Sequence, residues 1–192
     1  MSDSGLYTVQ LNSNTQSGTT FIQLLVVLVI SAIISGLALP AYANLLTSQQ
    51  RSAAMNAFQH TLFSAKFEAN KTLENIVICP SQDAHSCQPG SYDYSYGWIM
   101  FINRDKDYPV KRDLNEELLY ATQFDLSKFE LVANRQAFTF KPLPKRSTNG
   151  TLMFCPQEKF IKTHNYQALI ISYTGRPRLS KQITQTHKNI CD

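Results

Sequence analysis

Residues 1–17 contain no lysine or arginine, and residues 21–39 contain no charged residue of either sign. An ordinary signal peptide begins with a basic stretch and has a shorter apolar core, so the first absence weighs against one. Ala41 and Ala43 nevertheless mimic a small-x-small cleavage site, so the signal-peptide reading stays open beside that of a plain signal anchor. Low-complexity tracts and internal repeats are lacking. There is no HExxH, no GxSxG and no phosphate-binding P-loop, and His60, His85, His164 and His187 show no paired spacing. Enzymatic chemistry is therefore not expected, and no cofactor is called for. Asp105 and Asp107 hint at calcium, but Arg104 and Lys106 between and around them favour a hydrated hairpin turn.

The apolar run is long. Residues 21–39 form a helix of roughly 28 Å at about 1.5 Å per residue, close to the thickness of bilayer hydrocarbon. Past Pro40 the period changes: Ala54, Phe58, Leu62, Ala65, Ala69 and Leu73 recur every three or four residues, with Gln50, Arg51, Lys66 and Lys71 off that face. One helix is expected from about residue 20 to 73, bent or loosened near Gly36 and Pro40. Strand candidates follow at 75–79, 96–103, 118–124, 128–131, 137–141, 150–155 and 168–173, separated by PSQD, PGSYD, NRDKD, LPKRSTNG and TGRP. With 192 residues and 43% hydrophobic content, the chain allows one membrane helix and one domain of roughly 120 residues. The fold class is α+β: a helix laid on an antiparallel sheet or two-sheet sandwich.

Four cysteines, Cys79, Cys87, Cys155 and Cys191, suit an exported domain in an oxidising compartment. They allow three pairings. The short loop favours Cys79 with Cys87, which leaves Cys155 with Cys191. Free thiols remain possible, as does a metal held by the two thiols and His85 of CPSQDAHSC, though the tight spacing of common zinc sites is missing.

Charge is uneven. Residues 1–134 carry net −4 and residues 135–192 net +8, the latter from Arg135, Lys141, Lys145, Arg146, Lys159, Lys162, Arg176, Arg178, Lys181 and Lys188 against two acids. This asymmetry points to an anionic partner, phosphate chains first and acidic lipid second. The sharpest element is Thr174-Gly175-Arg176-Pro177-Arg178. Gly175 permits a tight turn, and Pro177 holds the chain extended. Arg176 and Arg178 are expected to point to opposite sides and reach two phosphates with their planar forks. Tyr173 offers base stacking to a single strand. The plainer alternative is a solvated turn leading into a final strand.

Two resemblances narrow the reading. Residues 18–42, GTTFIQLLVVLVISAIISGLALPAY, resemble the start of a type IV prepilin, in which a Gly precedes the cleavage point. With Gly18 as the last leader residue, Thr19 opens the mature chain and Pro40 falls at the twenty-second mature position, as in that family. The family usually has Phe at the first position and Glu at the fifth. Here Thr19 and Gln23 stand there, and Gln23 forms no ion pair. The ordered segments VICPSQDAHSC, GWIMFINRDKD, TLMFCPQ and ALIISYTGRPRLS resemble the GspH/FimT group of minor pilins and pseudopilins, over about residues 18–180.

The resemblance implies a type IV pilin-like fold with a leader at 1–18, a membrane and polymerisation helix at 19–40, its amphipathic half at 41–73, a β domain at 74–180 and a basic tail at 181–192. It implies processing between Gly18 and Thr19 by a prepilin peptidase, an inner-membrane stage, other pilins as partners and a place in a pilus. In the FimT branch the Gly-Arg-x-Arg motif is associated with DNA binding in natural transformation. By position, that role falls on Gly175, Arg176 and Arg178, and the charge surplus adds Lys181 and Lys188. Related minor pilins and secretion pseudopilins carry similar endings without an established DNA role, and a structural pseudopilin of type II secretion or a pilus-priming subunit is the alternative.

Overall fold

The computed structural model describes residues 20–124, 129–156, 166–180 and 182–191. The leader expected at 1–18, with Gly18, and also Thr19 and Lys181 lie outside these, as do Lys128, Lys159 and Lys162. Element order is α1 (Phe21–Thr72), β1 (Asn75–Pro80), β2 (Gly97–Asn103), β3 (Leu118–Gln123), β4 (Phe129–Ala133), β5 (Phe138–Phe140), β6 (Gly150–Pro156), β7 (Gln167–Ile171), β8 (Pro177–Leu179) and α2 (Gln185–Lys188). The chain divides into two compact units, Met1–Asn44 and Leu45–Asp192.

In the first unit the described residues open α1. The Thr20 N–H donates to Gln23 Oε1 at 3.0 Å, while the Gln23 N–H donates to the Thr20 carbonyl at 2.9 Å. Gln23 thus supplies the side-chain half of a capping box, a role the sequence comparison with Glu did not suggest. Ser31 and Ser35 turn their hydroxyls back on the carbonyls of Val27 and Ser31, which satisfies them inside an apolar run. The helix runs on through Gly36 and Pro40, although Pro40 has no N–H to donate to the Gly36 carbonyl. Among the described residues, no helix is long and apolar enough to cross a membrane.

In the second unit, Ala54, Phe58, Leu62, Ala65 and Ala69 are fully buried, as their spacing predicts. Leu73 departs from that face. It is 74% exposed at φ +60°, because the helix ends at Thr72 and the chain must reverse into β1 within two residues. Two antiparallel sheets receive the helix, ordered β3-β2-β1-β5 and β4-β6-β7-β8. One core joins Phe58 and Leu62 of α1 to Ile76, Ile78, Trp98, Phe138 and Phe140 of the first sheet and Leu131, Leu152, Phe154, Leu169 and Ile171 of the second. Phe58 meets Tyr94, Trp98 and Phe138 edge-on, and buried Trp98 donates its indole N–H to Thr61 Oγ1 at 3.0 Å.

β1 and β2 read as unbroken apolar runs because both their faces are covered. Val77, Cys79, Ile99 and Phe101 form a second cluster with Cys87, Val110, Leu118, Ala121 and Ala137 on the far side. The Cys79–Cys87 disulfide closes that cover, with Cα atoms 5.5 Å apart. At the mouth of β2, Gly97 sits at φ +133°, and a Cβ there would collide with the Thr122 carbonyl, so only glycine lets β3 pair this closely. The outer face of the second sheet is covered by the chain's end. Ile183, Ile190 and Cys191 pack on Met153, Cys155 and Ala168, and Cys155 bridges Cys191.

Candidate nucleic-acid interface

The Gly-Arg-x-Arg segment forms the tip and returning strand of a β-hairpin. The Gly175 N–H donates to the Ser172 carbonyl at 2.8 Å, and the Ser172 N–H to the Arg176 carbonyl at 3.1 Å. Tyr173, Thr174 and Gly175 are therefore the three-residue loop, with Gly175 at φ +78° in the left-handed position such loops require. Serine supports the turn with its side chain: the Arg176 N–H donates to Ser172 Oγ at 3.2 Å. Gly175 is also a packing requirement. A Cβ would lie 3.0 Å from the Phe140 ring and 3.3 Å from the Lys66 stem.

The strand pairing corrects one expectation. In β8, Arg178 stands opposite Ile170, and the hairpin bonds place Arg176 opposite Ser172. Residues two apart in a strand project to the same face, so the two guanidinium groups share the outer face of the second sheet instead of flanking it. Leu179 and Pro177, opposite Leu169 and Ile171, take the inner side. Arg176 and Arg178 are exposed, and among the described residues neither takes part in an ion pair. β8 is an edge strand, so no further strand covers them.

Lys188 is set apart. It is half-buried, with its ammonium 5.6 Å from the centroid of the Tyr166 ring. Tyr166 precedes Ile170 by four residues along the same strand direction, a separation of roughly 13 Å from the point facing Arg178. The ring already engages its charge.

A different cation is brought in instead. The Arg146 guanidinium lies over the face of Tyr173, 5.6 Å from its centroid. Its loop is tied to the hairpin by the Ser147 N–H, which donates to the Tyr173 carbonyl at 2.9 Å. Lys145 is exposed beside it. Beneath them Lys66 of α1 donates to the Lys141 carbonyl at 3.1 Å, and burial lowers its pKa below the usual lysine value. The sequence shows Arg146 only as one of the ten lysines and arginines in residues 135–192; nothing local signals its contact with Tyr173, which lies 27 positions on. One face of Tyr173 is thereby occupied, so the stacking expected of it is open on the other face alone.

The remaining candidates are quiet. Among the described residues no cluster of His, Cys, Asp and Glu is suited to a metal. Both thiols of CPSQDAHSC are in the disulfide, and His85 instead sits at hydrogen-bonding distance from the Asp83 carbonyl. Asp107 accepts from Asn103 and from the Lys111 N–H, as a hydrated turn would arrange it.

A family model described as type II transport protein GspH matches residues 54–175. The fold is similar to a crystal structure of the type IV minor pilin FimU from Pseudomonas aeruginosa, with TM-score 0.50 and 18% identity over 70% of this chain and 97% of that one. A second crystal form of FimU gives TM-score 0.49 and 19% identity, covering 72% and 94%. No curated protein matches the chain significantly.

Proposed function

The chain belongs to the GspH/FimT family of minor type IV pilins and pseudopilins, and we propose that this member binds DNA through the β7–β8 hairpin, for uptake in natural transformation. The observation that carries the reading is the pair Arg176 and Arg178, exposed on one face of an edge strand and free of carboxylate partners among the described residues. The family match ends at Gly175, so both arginines lie just past it and the support for them is geometric and electrostatic.

A cation held on a stiff strand meets phosphate without losing much side-chain freedom beyond its own. Such contacts release condensed counterions and read no sequence. The strand supplies positioning, and the guanidinium groups supply attraction. The uncharged run at residues 21–39 supports an inner-membrane stage, with a prepilin peptidase acting between Gly18 and Thr19 and with other pilins packing on α1. The pilus then carries the hairpin outward, and retraction by other proteins draws bound DNA in.

The test is a DNA titration of residues 45–192 at several salt concentrations. With roughly four phosphate contacts on duplex DNA, the log–log slope is expected near −3.6. Arg176→Ala with Arg178→Ala should weaken binding to all sequences alike. Unchanged affinity in that double variant ends the assignment. One observation favours a second reading: the matched family is described by its type II transport member, which suits a structural pseudopilin with no nucleic-acid role. Absent or salt-insensitive binding by the unaltered protein supports that reading.

A further inference from the structure

The 141–148 loop is tied to its neighbours by backbone donors. The Leu143 N–H donates to Asn70 Oδ1 of α1 at 3.0 Å, the Lys145 N–H to the Pro142 carbonyl at 3.0 Å and the Thr148 N–H to the Thr139 carbonyl at 2.8 Å. The Ser147 N–H joins it to the hairpin tip, as above. This frame presents Leu143, Pro144, Lys145 and Arg146 to solvent, and the last two carry charge. Arg146 makes no ion pair among the described residues; its contact there is the face of Tyr173. A guanidinium lying over a ring keeps the N–H donors of its edge available, and that edge is the part that grips phosphate oxygens in pairs.

Resting on the DNA reading above, we propose that Lys145 and Arg146 are a second arm of the phosphate-binding surface, with Tyr173 as the positioning residue that holds the Arg146 guanidinium. The polyanion is then gripped by two chain segments, the loop and the returning strand, which Ser147 and Tyr173 hold in fixed relation. Tyr173 acts here through Arg146 rather than by stacking on a base.

The experiment uses the full chain in detergent micelles. Binding of a mixed-sequence duplex and of an oligothymidylate of equal length is measured over a salt series. Arg146→Ala should reduce the magnitude of the duplex salt slope by about 0.9, the loss of one phosphate contact. Arg146→Lys should restore the slope while recovering only part of the affinity, since a lysine keeps the charge and loses the fork. Tyr173→Leu should weaken duplex binding while Arg146 is present and add little once it is absent, because one pathway has already been removed. Additive losses confined to the oligothymidylate would show Tyr173 stacking on bases and overturn its positioning role. An unaltered slope in Arg146→Ala, with salt-sensitive binding by the parent protein, overturns the second arm while the hairpin reading stands. Absence of salt-sensitive binding by the parent protein ends both.

Discussion

Gly175 separates the structural part of the motif from its chemical part. Its φ of +78° and the 3.0 Å approach a Cβ would make to Phe140 are both demands of the fold. Gly175→Ala should therefore cost roughly 1–2 kcal/mol, the penalty of a left-handed conformation for a residue with a side chain. The neighbouring Arg176→Ala, at an exposed site with no ion pair among the described residues, should stay within about 0.5 kcal/mol. Chemical denaturation of residues 45–192 reads both. Equal destabilisation by the two changes would show that the arginine is part of the fold's support. At this scale the sequence was informative about residue type and misleading about direction. Arg176 and Arg178 were expected on opposite sides, yet the two-residue repeat of a strand puts them together. Lys188 illustrates the opposite limit: its charge was visible, but its ring partner Tyr166 was not, since the contact depends on how α2 folds back.

A buried side-chain hydrogen bond joins α1 to the first sheet. Trp98 is fully buried, and its indole N–H has Thr61 Oγ1 as partner. Thr61→Val keeps the shape and removes the acceptor. The orphaned donor should cost about 1–3 kcal/mol, visible as a lower denaturation midpoint with an unchanged slope. An unchanged midpoint would mean that Trp98 finds another acceptor. The helix itself was legible because Ala54 to Ala69 keep a 3.6-residue period, and most strands were legible from apolar runs between turn residues. β8 was given no bounds among the strand candidates, and a final strand stood only in the plainer alternative. Pro177 begins it and its three residues show no alternation, so only pairing with β7 makes it a strand. Leu73 was read as helical because periodicity carries no stop signal there. The left-handed residue after Thr72 is set by the short link to β1.

For the whole molecule, the Cys155–Cys191 bridge holds the chain's end against the outer face of the second sheet, across a separation of 36 residues. In the chain-entropy account, a loop of that length is worth roughly 3–4 kcal/mol. Cys155→Ala with Cys191→Ala should lower stability by about that amount and increase hydrogen exchange in residues 182–190 ahead of the rest. Unchanged exchange in the tail would show that Ile183 and Ile190 hold it without the bridge. The Gly-Arg-x-Arg strand lies on the other side of β7 from β6, so the DNA binding proposed for the hairpin should persist in this variant while it remains folded.

Composition and order determined the kind of protein. An uncharged apolar run, a periodic helix and a succession of short strands suit few packings, because each apolar face must be covered by another. They also determined where positive charge concentrates. Which cations meet was decided in three dimensions. Arg146 reaches Tyr173 because the loop before β6 and the turn after β7 are bonded side by side. Arg176 lines up with Arg178 because β8 pairs along β7. Coulomb attraction depends on distances through space, and chain separation carries no information about those until the sheets have formed.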